Sequence, residues 1–461
     1  MPIWAAPPEG STMRTTQPKA DKSETIKAET TPYVEAFRAR LAAIEPKWLV
    51  ALREAALRRF AELGFPTRRD EAWRFTNLRP LSRAAFLPAA PDAETVDRAA
   101  LASYLLAGKT HRIVLVNGHF APGLSKIGAL PQGIWLGSTA EALKTRPELV
   151  EAAFDESENT GAQAFASLNA AFFADGFILA LEPGAVLETP VEIVHIGRAS
   201  STQAFYLRSA VLAGAGSSAT VIESFAGTGS GWTNAVTRID LGQGARLAHV
   251  KIQDEPQDAI HFALVRASLA AGARYENFTL TLGALLSRQD SLVAMQGEHA
   301  ELSLAGAYLL RGRQEATIAP YVDHQSPGGK TREIVKGVVD DHAHGVFLGT
   351  IAVRPGADRT DAHQLNRNLL LSPGAAVDTK PELEIFADDV KCSHGATVGD
   401  LDENALFYLR ARGIDEASAR NMLIEAFAAD AIDSAGLGAT LTAHLRRHLQ
   451  LWLEKRGSPT P

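Results

Sequence analysis

The sequence has one cysteine, Cys392, in 461 residues. That excludes an internal disulfide and any cysteine-only metal or cluster site, because clusters and structural zinc usually take four ligands rich in thiolate or imidazole. A metal or cluster that this chain touches has to be completed by another chain or by other ligand types. No apolar run approaches the roughly 20 residues that cross a bilayer. A basic block is also missing: the net charge is -7, from 46 basic and 53 acidic side chains. That balance gives no reason to expect nucleic acid or an anionic membrane as the main partner. The first 30 residues, rich in Thr, Lys, Glu and Pro, lack the apolar core of a secretory signal and read as a disordered leader, with Met13 as an alternative start. A lone cysteine without a signal fits a reducing cytoplasm.

With 46% hydrophobic and 21% charged residues, the chain has ordinary globular composition and length for more than one domain. Residues 31–179 read as a helical and mixed region. Thr31-Pro32 suits a helix start, followed by Val34, Phe37, Leu41 and Ile44 at helical spacing. Pro46 separates that helix from one carrying Leu49, Leu52, Ala56, Phe60 and Leu63, which Gly64 ends. The charged stretch 64–81 follows, with Trp73 and Phe75 as anchors, and then an apolar strand at 113–116.

From about residue 180 short apolar strands alternate with Gly-Ala turns at 184, 214, 244, 272 and 374. The first steps are 30, 30 and 28 residues, and Glu298-His299-Ala300 lies near the next. A period of this size in strand-rich sequence predicts a solenoid, whose coils bury their apolar faces only against each other. A parallel β-helix over 180–398 is favoured over a β-sandwich, whose connections do not keep such a period. Residues 399–461 return to helix. The segments are 402–412 stopped by Gly413, a second from Asp415 with Ala419, Met422, Ala426 and Phe427 on one face, and a third with Leu437, Leu441, Leu445, Leu449 and Trp452. These helices either cap the solenoid end or present a partner-binding face.

The sharpest chemical cluster is ADDVKCSHGAT, residues 387–397. Cys392 and His394 stand at i and i+2, on one face of a strand and about 7 Å apart at Cα. They are soft and borderline ligands suited to iron, zinc or copper(I). The plainer alternative is a buried Cys used as a small hydrophobe beside a His at a strand end. His342 and His344 form a second such pair, read as a solvated turn. The adjacent carboxylates Asp340-Asp341 and Asp388-Asp389 point to opposite faces and cannot flank one glycosidic bond. Gly328-Gly329-Lys330-Thr331 lacks the earlier glycine and the following helix of a phosphate-binding loop. No complete catalytic site is apparent, which points to a non-catalytic chain.

Several long motifs then resemble one family. PELEIFADDVKCSHGATVGDLDENALFYLRARGI (381–414), KGVVDDHAHGVFLGTIAV (336–353), TDAHQLNRNLLLS (360–372), ASLNAAFFADGFIL (166–179) and GFPTRRDEAWRFTNLRPL (64–81) are similar, in order, to the SufB/SufD scaffold family. CSHGAT and the single cysteine favour the SufD-type branch, since SufB-type chains carry an EHEAT-like segment there. His344 replaces a usual Arg, and Arg359 a common Lys. The resemblance implies a right-handed parallel β-helix core with N-terminal and C-terminal α-helical regions. It implies a heterodimer with a SufB-like subunit and docking of a SufC-like ABC ATPase on the C-terminal helices, with Phe407, Tyr408, Arg412, Met422 and Phe427 as candidate contacts. A transient iron–sulfur cluster would be shared with SufB, with His394 as ligand or proton donor and Cys392 a weaker candidate. Complexes of the family can also bind reduced flavin, for which no motif is visible here. A β-helix polysaccharide lyase or hydrolase, or a free-standing metal sensor using Cys392, His394 and His363, are the rival readings.

Overall fold

The computed structural model describes residues 22–40, 46–82, 84–91, 96, 101–154, 163–199 and 202–456. Helix α1 (Lys22–Arg40) starts well before the expected Thr31-Pro32 cap and carries Pro32 inside it. The leader expected through residue 30 therefore overlaps helix from Lys22 on, and residues 1–21 lie outside the described set. Tyr33 and Phe37, both buried, draw the second half of α1 into an aromatic cluster despite the proline. Helix α2 (Lys47–Leu63) follows Pro46 and ends at Gly64, whose φ of 65° is the left-handed conformation that favours glycine.

From Phe177 the chain winds into a parallel β-solenoid. Successive strands alternate between two sheets of 10 strands each, so each strand pairs with the one two places away in sequence. Pairing is in register. Residues 246–253 meet 218–225 on one side and 274–281 on the other. Each coil buries Val, Leu, Ile and Phe between the sheets, and the one above continues the same apolar column.

The expected period is real, but its phase shifts at two points. The left-handed residues of one turn column are Gly184, Gly216, Gly244, Gly272, His299, Gly328 and Arg359. The second turn thus centres on Gly216, not Gly214, because Gly214 packs against backbone at 181–183, where no Cβ fits. The turn at 298–300 falls in the column as expected. Gly374, in contrast, belongs to the opposite edge, beside His342. A ladder ties the column together. Gly216 N donates to Gln243 O, Gly244 N to Ala271 O and Gly272 N to Glu298 O, all within 2.8–2.9 Å. Each turn satisfies the next one's backbone, so coil length is held near constant even where glycine is replaced.

Helices cover the outer faces of both sheets. Tyr33, Phe60, Phe172 and Phe165, the last two from α3 (Gln163–Phe172), pack with Tyr206, Trp232 and Phe262 of one sheet. The charged stretch 64–81 runs across that same sheet. Trp73 is its buried anchor, under the Arg288 guanidinium at 4.0 Å, whereas Phe75 is only half-buried. The C-terminal helices α4 (Glu403–Ala411), α5 (Glu416–Ser434) and α6 (Ala439–Arg456) fold back along the other sheet. Their core includes Ile424, Ala428, Ala431, Leu445, Leu449 and Trp452 against Val250, Ile252, Phe278 and Leu280. The expected face of α5 is partly wrong: Ala419 is buried, but Met422 and Ala426 are exposed. Alanines at 428, 429 and 431 let the helix approach the sheet more closely than Met would. Lys336 reinforces the contact, donating to Phe427 O at 3.0 Å and pairing with Asp430. The helices thus lie along the solenoid's side and do not cap its end.

Candidate functional site

The last coil is built from strands Ala376–Ile385 and Lys391–Gly399, each the terminal strand of its sheet. One edge of each pairs with the previous coil, and the other faces outward. Ile385, Phe386 and Val398 are 40%, 57% and 45% exposed there. A long unprotected edge with apolar side chains is a template for further strand pairing or for a partner surface.

Cys392 and His394 sit on the last strand. Cys392 pairs in register with the buried Ala362 and packs against the solenoid core, and His394 pairs with the buried Gln364. Both side chains therefore stand on the inward face, at the open mouth of the solenoid. Cys392 is half-buried and His394 exposed. Burial pushes the Cys392 thiol up, with Asp361 adding to the effect against a backbone hydrogen bond. The thiol is therefore protonated near neutrality and needs a metal or base to become a ligand.

His363 does not join them. It pairs in register with Ser393, on the opposite face, where its Nδ1 lies 2.5 Å from Ser393 Oγ and its Nε2 2.8 Å from Asp361 Oδ1. His342 and His344 also separate: His342 lies in the turn, while His344 Nε2 contacts Asp378 at 2.8 Å. Among the described residues, no three His, Cys, Asp or Glu side chains are arranged to hold a metal ion. Cys392 and His394 thus stand as a pair at an edge of the solenoid.

Of the C-terminal candidates, Phe407, Tyr408 and Met422 are 74%, 58% and 48% exposed on α4 and α5. Arg412 stacks on the Tyr408 ring at 5.0 Å and donates to its hydroxyl at 2.9 Å. Phe427 differs: it is half-buried under the Lys336 ammonium, 4.5 Å from the ring centre.

A second group of polar residues, not anticipated from the sequence, lies inside the solenoid. Glu223 receives His249 Nε2 at 2.8 Å and His195 Nε2 at 3.3 Å, and His249 Nδ1 meets the Tyr275 hydroxyl at 3.0 Å. Nearby, Lys251 Nζ lies 2.7 Å from His261 Nε2, whose other nitrogen is 2.8 Å from Glu255. Burial alone would push Glu223 up, but the two imidazoles bring it below the usual carboxylate range. Burial lowers Lys251 to about 8. A signal was there: His249, Lys251 and Gln253 alternate with Val250 and Ile252. Ordinary alternation would have put those polar groups in water. Here the apolar set faces outward because the C-terminal helices cover it.

Two family models together match most of the chain: the SufBD protein N-terminal region over residues 27–193, and the SUF system FeS cluster assembly SufBD core domain over 195–427. The chain belongs to the SufBD family. An iron-sulfur cluster assembly SufBD family protein of Synechocystis sp. is 33% identical over 423 residues, 89% of this chain and 92% of the relative. The iron-sulfur cluster assembly protein SufD of Escherichia coli is 31% identical over 402 residues, 85% of this chain and 91% of that protein. The chloroplastic protein ABCI7 of Arabidopsis thaliana is 28% identical over 399 residues. This SufBD-family chain is thus a SufD homologue from an iron–sulfur cluster assembly family. The core match ends inside α5, so it includes the open coil with Cys392 and His394 and the exposed face of α4. No helix among its described residues is long and apolar enough to cross a membrane.

Proposed function

We propose that this chain is the SufD-like, non-catalytic scaffold subunit of a cytoplasmic SufBCD complex, and that it shares a nascent iron–sulfur cluster with SufB at its open solenoid end. The observation that carries this reading is the last coil, whose outer edge pairs with no strand among the described residues, with His394 at its mouth and Ile385, Phe386 and Val398 around it. A SufB-like β-helix, laid edge to edge, would continue both sheets and bury those side chains. His394, with Cys392 as the weaker second, supplies part of the ligand set, and SufB supplies the rest. Such sharing fits a chain with one cysteine.

Energy for the cycle would come from a SufC-like ATPase docked on Phe407, Tyr408, Arg412 and Met422, with Phe427 as the contact between that face and the solenoid. Helix α5 packs on strands Glu301–Leu310 and Lys330–Val339. ATP-driven motion could thus reach the coils just before the open end. The test is to co-express the tagged chain with SufB and SufC from the same host and weigh the intact complex by native mass spectrometry. An assembly of all three supports the scaffold role, and a lone monomer overturns it. His394→Ala should leave that assembly intact and abolish cluster formation. An unchanged cluster yield would remove the ligand role.

A further inference from the structure

The inward column that ends at His394 has two deeper rungs. Parallel pairing sets Glu333 opposite Gln364, and Gln364 opposite His394. Residues in register on adjacent parallel strands share a face, so all three project into the solenoid. The flanking columns, Thr331–Ala362–Cys392 and Val335–Asn366–Ala396, carry no carboxyl or imidazole behind the last strand.

Glu333 and Gln364 are only 1% and 2% exposed. Gln364 Nε2 donates to Glu333 Oε2 at 3.1 Å. With the amide nitrogen turned inward, Gln364 Oε1 has no hydrogen-bond partner among the described residues. An orphaned buried acceptor costs about 1–3 kcal/mol. The next rung offers a donor in register, the ring N–H of His394. The facing strand, His344–Val353, leaves room for the amide, since a Cβ on Gly349 would lie 2.2 Å from Gln364 Nε2.

We propose that Gln364, backed by Glu333, is a positioning residue that sets the tautomer of His394. Its Oε1 accepts the N–H of the ring nitrogen that faces the interior. The outer nitrogen then carries its lone pair toward the open end, as binding an iron ion requires. Imidazoles that ligate metals commonly give their other N–H to such an acceptor, which fixes both tautomer and ring orientation. This inference rests on His394 being the interface ligand, and it adds to that reading the residues that prepare it.

The test is nitrogen-15 NMR of the full chain labelled at histidine, above the imidazole titration range, with His394→Ala assigning the resonances. The wild type should show one tautomer at His394, protonated on the inner nitrogen. Gln364→Leu should show both tautomers, while Glu333→Gln, which keeps an acceptor behind Gln364, should retain the wild-type state. In the complex with SufB and SufC, Gln364→Leu should slow cluster formation by about tenfold without loss of assembly. If Gln364→Leu keeps the wild-type tautomer, the proposal is overturned. Should that variant misfold, Gln364→Met is read in its place, with the same outcomes. A His394→Ala complex that still builds clusters would remove the ligand reading, yet the tautomer measurement would still decide whether Gln364 orients the ring.

Discussion

At the N-terminal end of the solenoid each sheet finishes in an antiparallel pair, and at the C-terminal end each stops in a parallel strand. Strand His111–Val116 carries an antiparallel neighbour, His119–Phe120, and strand Ile134–Ser138 pairs antiparallel with Phe177–Leu181. Antiparallel reversal breaks the parallel repeat there, and α2 and α3 cover the adjoining face with aromatic side chains. The last coil has neither device. Among the described residues its edge carries no reversed strand, and the helices that follow turn back along the side. The two ends thus differ in strand direction and in what covers the neighbouring face, and the parallel edge with its exposed apolar side chains is the better template for a further strand.

The interior carboxyls repeat the contrast. Glu223, in an early coil, is held between two imidazoles. Glu333, near the open end, has only Gln364 among the described residues, and burial pushes it from 4.5 up to about 8. The first is a carboxylate held ionised by two imidazoles, and the second is a carboxyl kept neutral at physiological pH.

Four changes would sharpen or break this comparison. Trp232→Ala, in the aromatic cluster under the N-terminal helices, should cost about 3–5 kcal/mol in chemical denaturation. A loss under 1 kcal/mol would mean that this region is no more stabilised than the rest. Glu223→Gln should cost about 3 kcal/mol at neutral pH by breaking a buried charged network. Because the Glu223 carboxylate lies below its ordinary range when folded, its contribution is present above the unfolded-state value and fades as pH falls. The variant should therefore differ most from wild type near pH 7 and least in acid. Melting curves of equal acid dependence would show that the imidazoles do not hold Glu223 ionised.

Phe386→Asp, on the open edge, should leave the melting temperature unchanged and weaken SufB association by tenfold or more, of order 1.4 kcal/mol. A variant that binds normally would place the interface elsewhere. The smallest effect has the opposite sign to that of Glu223. Between pH 4.5 and about 8 the folded chain holds a proton on Glu333 that the unfolded chain has released, so this group lowers stability as pH rises through that window. Glu333→Gln should flatten that part of the stability profile, and an unaltered slope would show that Glu333 is ionised when folded.

Much of this was legible one residue at a time. The Gly-Ala period, the single cysteine, the helix starts at Asp402 and Asp415 and the i, i+2 pair Cys392–His394 are local patterns. Local patterns survive folding because backbone conformation and strand alternation act over a few residues. The start of α1 and the buried face of α5 were misread because distant contacts overrode the local signal. In α1, the aromatic cluster outweighed a proline. In α5, sheet contact selected alanines over Met422.

By itself the sequence determined that the chain would be a solenoid of coils near 30 residues, with a Cys and a His two residues apart near its end. Tertiary structure alone decided that this end stays open, that His363 turns away from Cys392 and His394, and that Glu333 and Gln364 stand behind His394. Those facts depend on register between strands some 30 residues apart and on helices folding back along a sheet. Both are set by burial of apolar surface from the whole chain, which no short window of sequence contains.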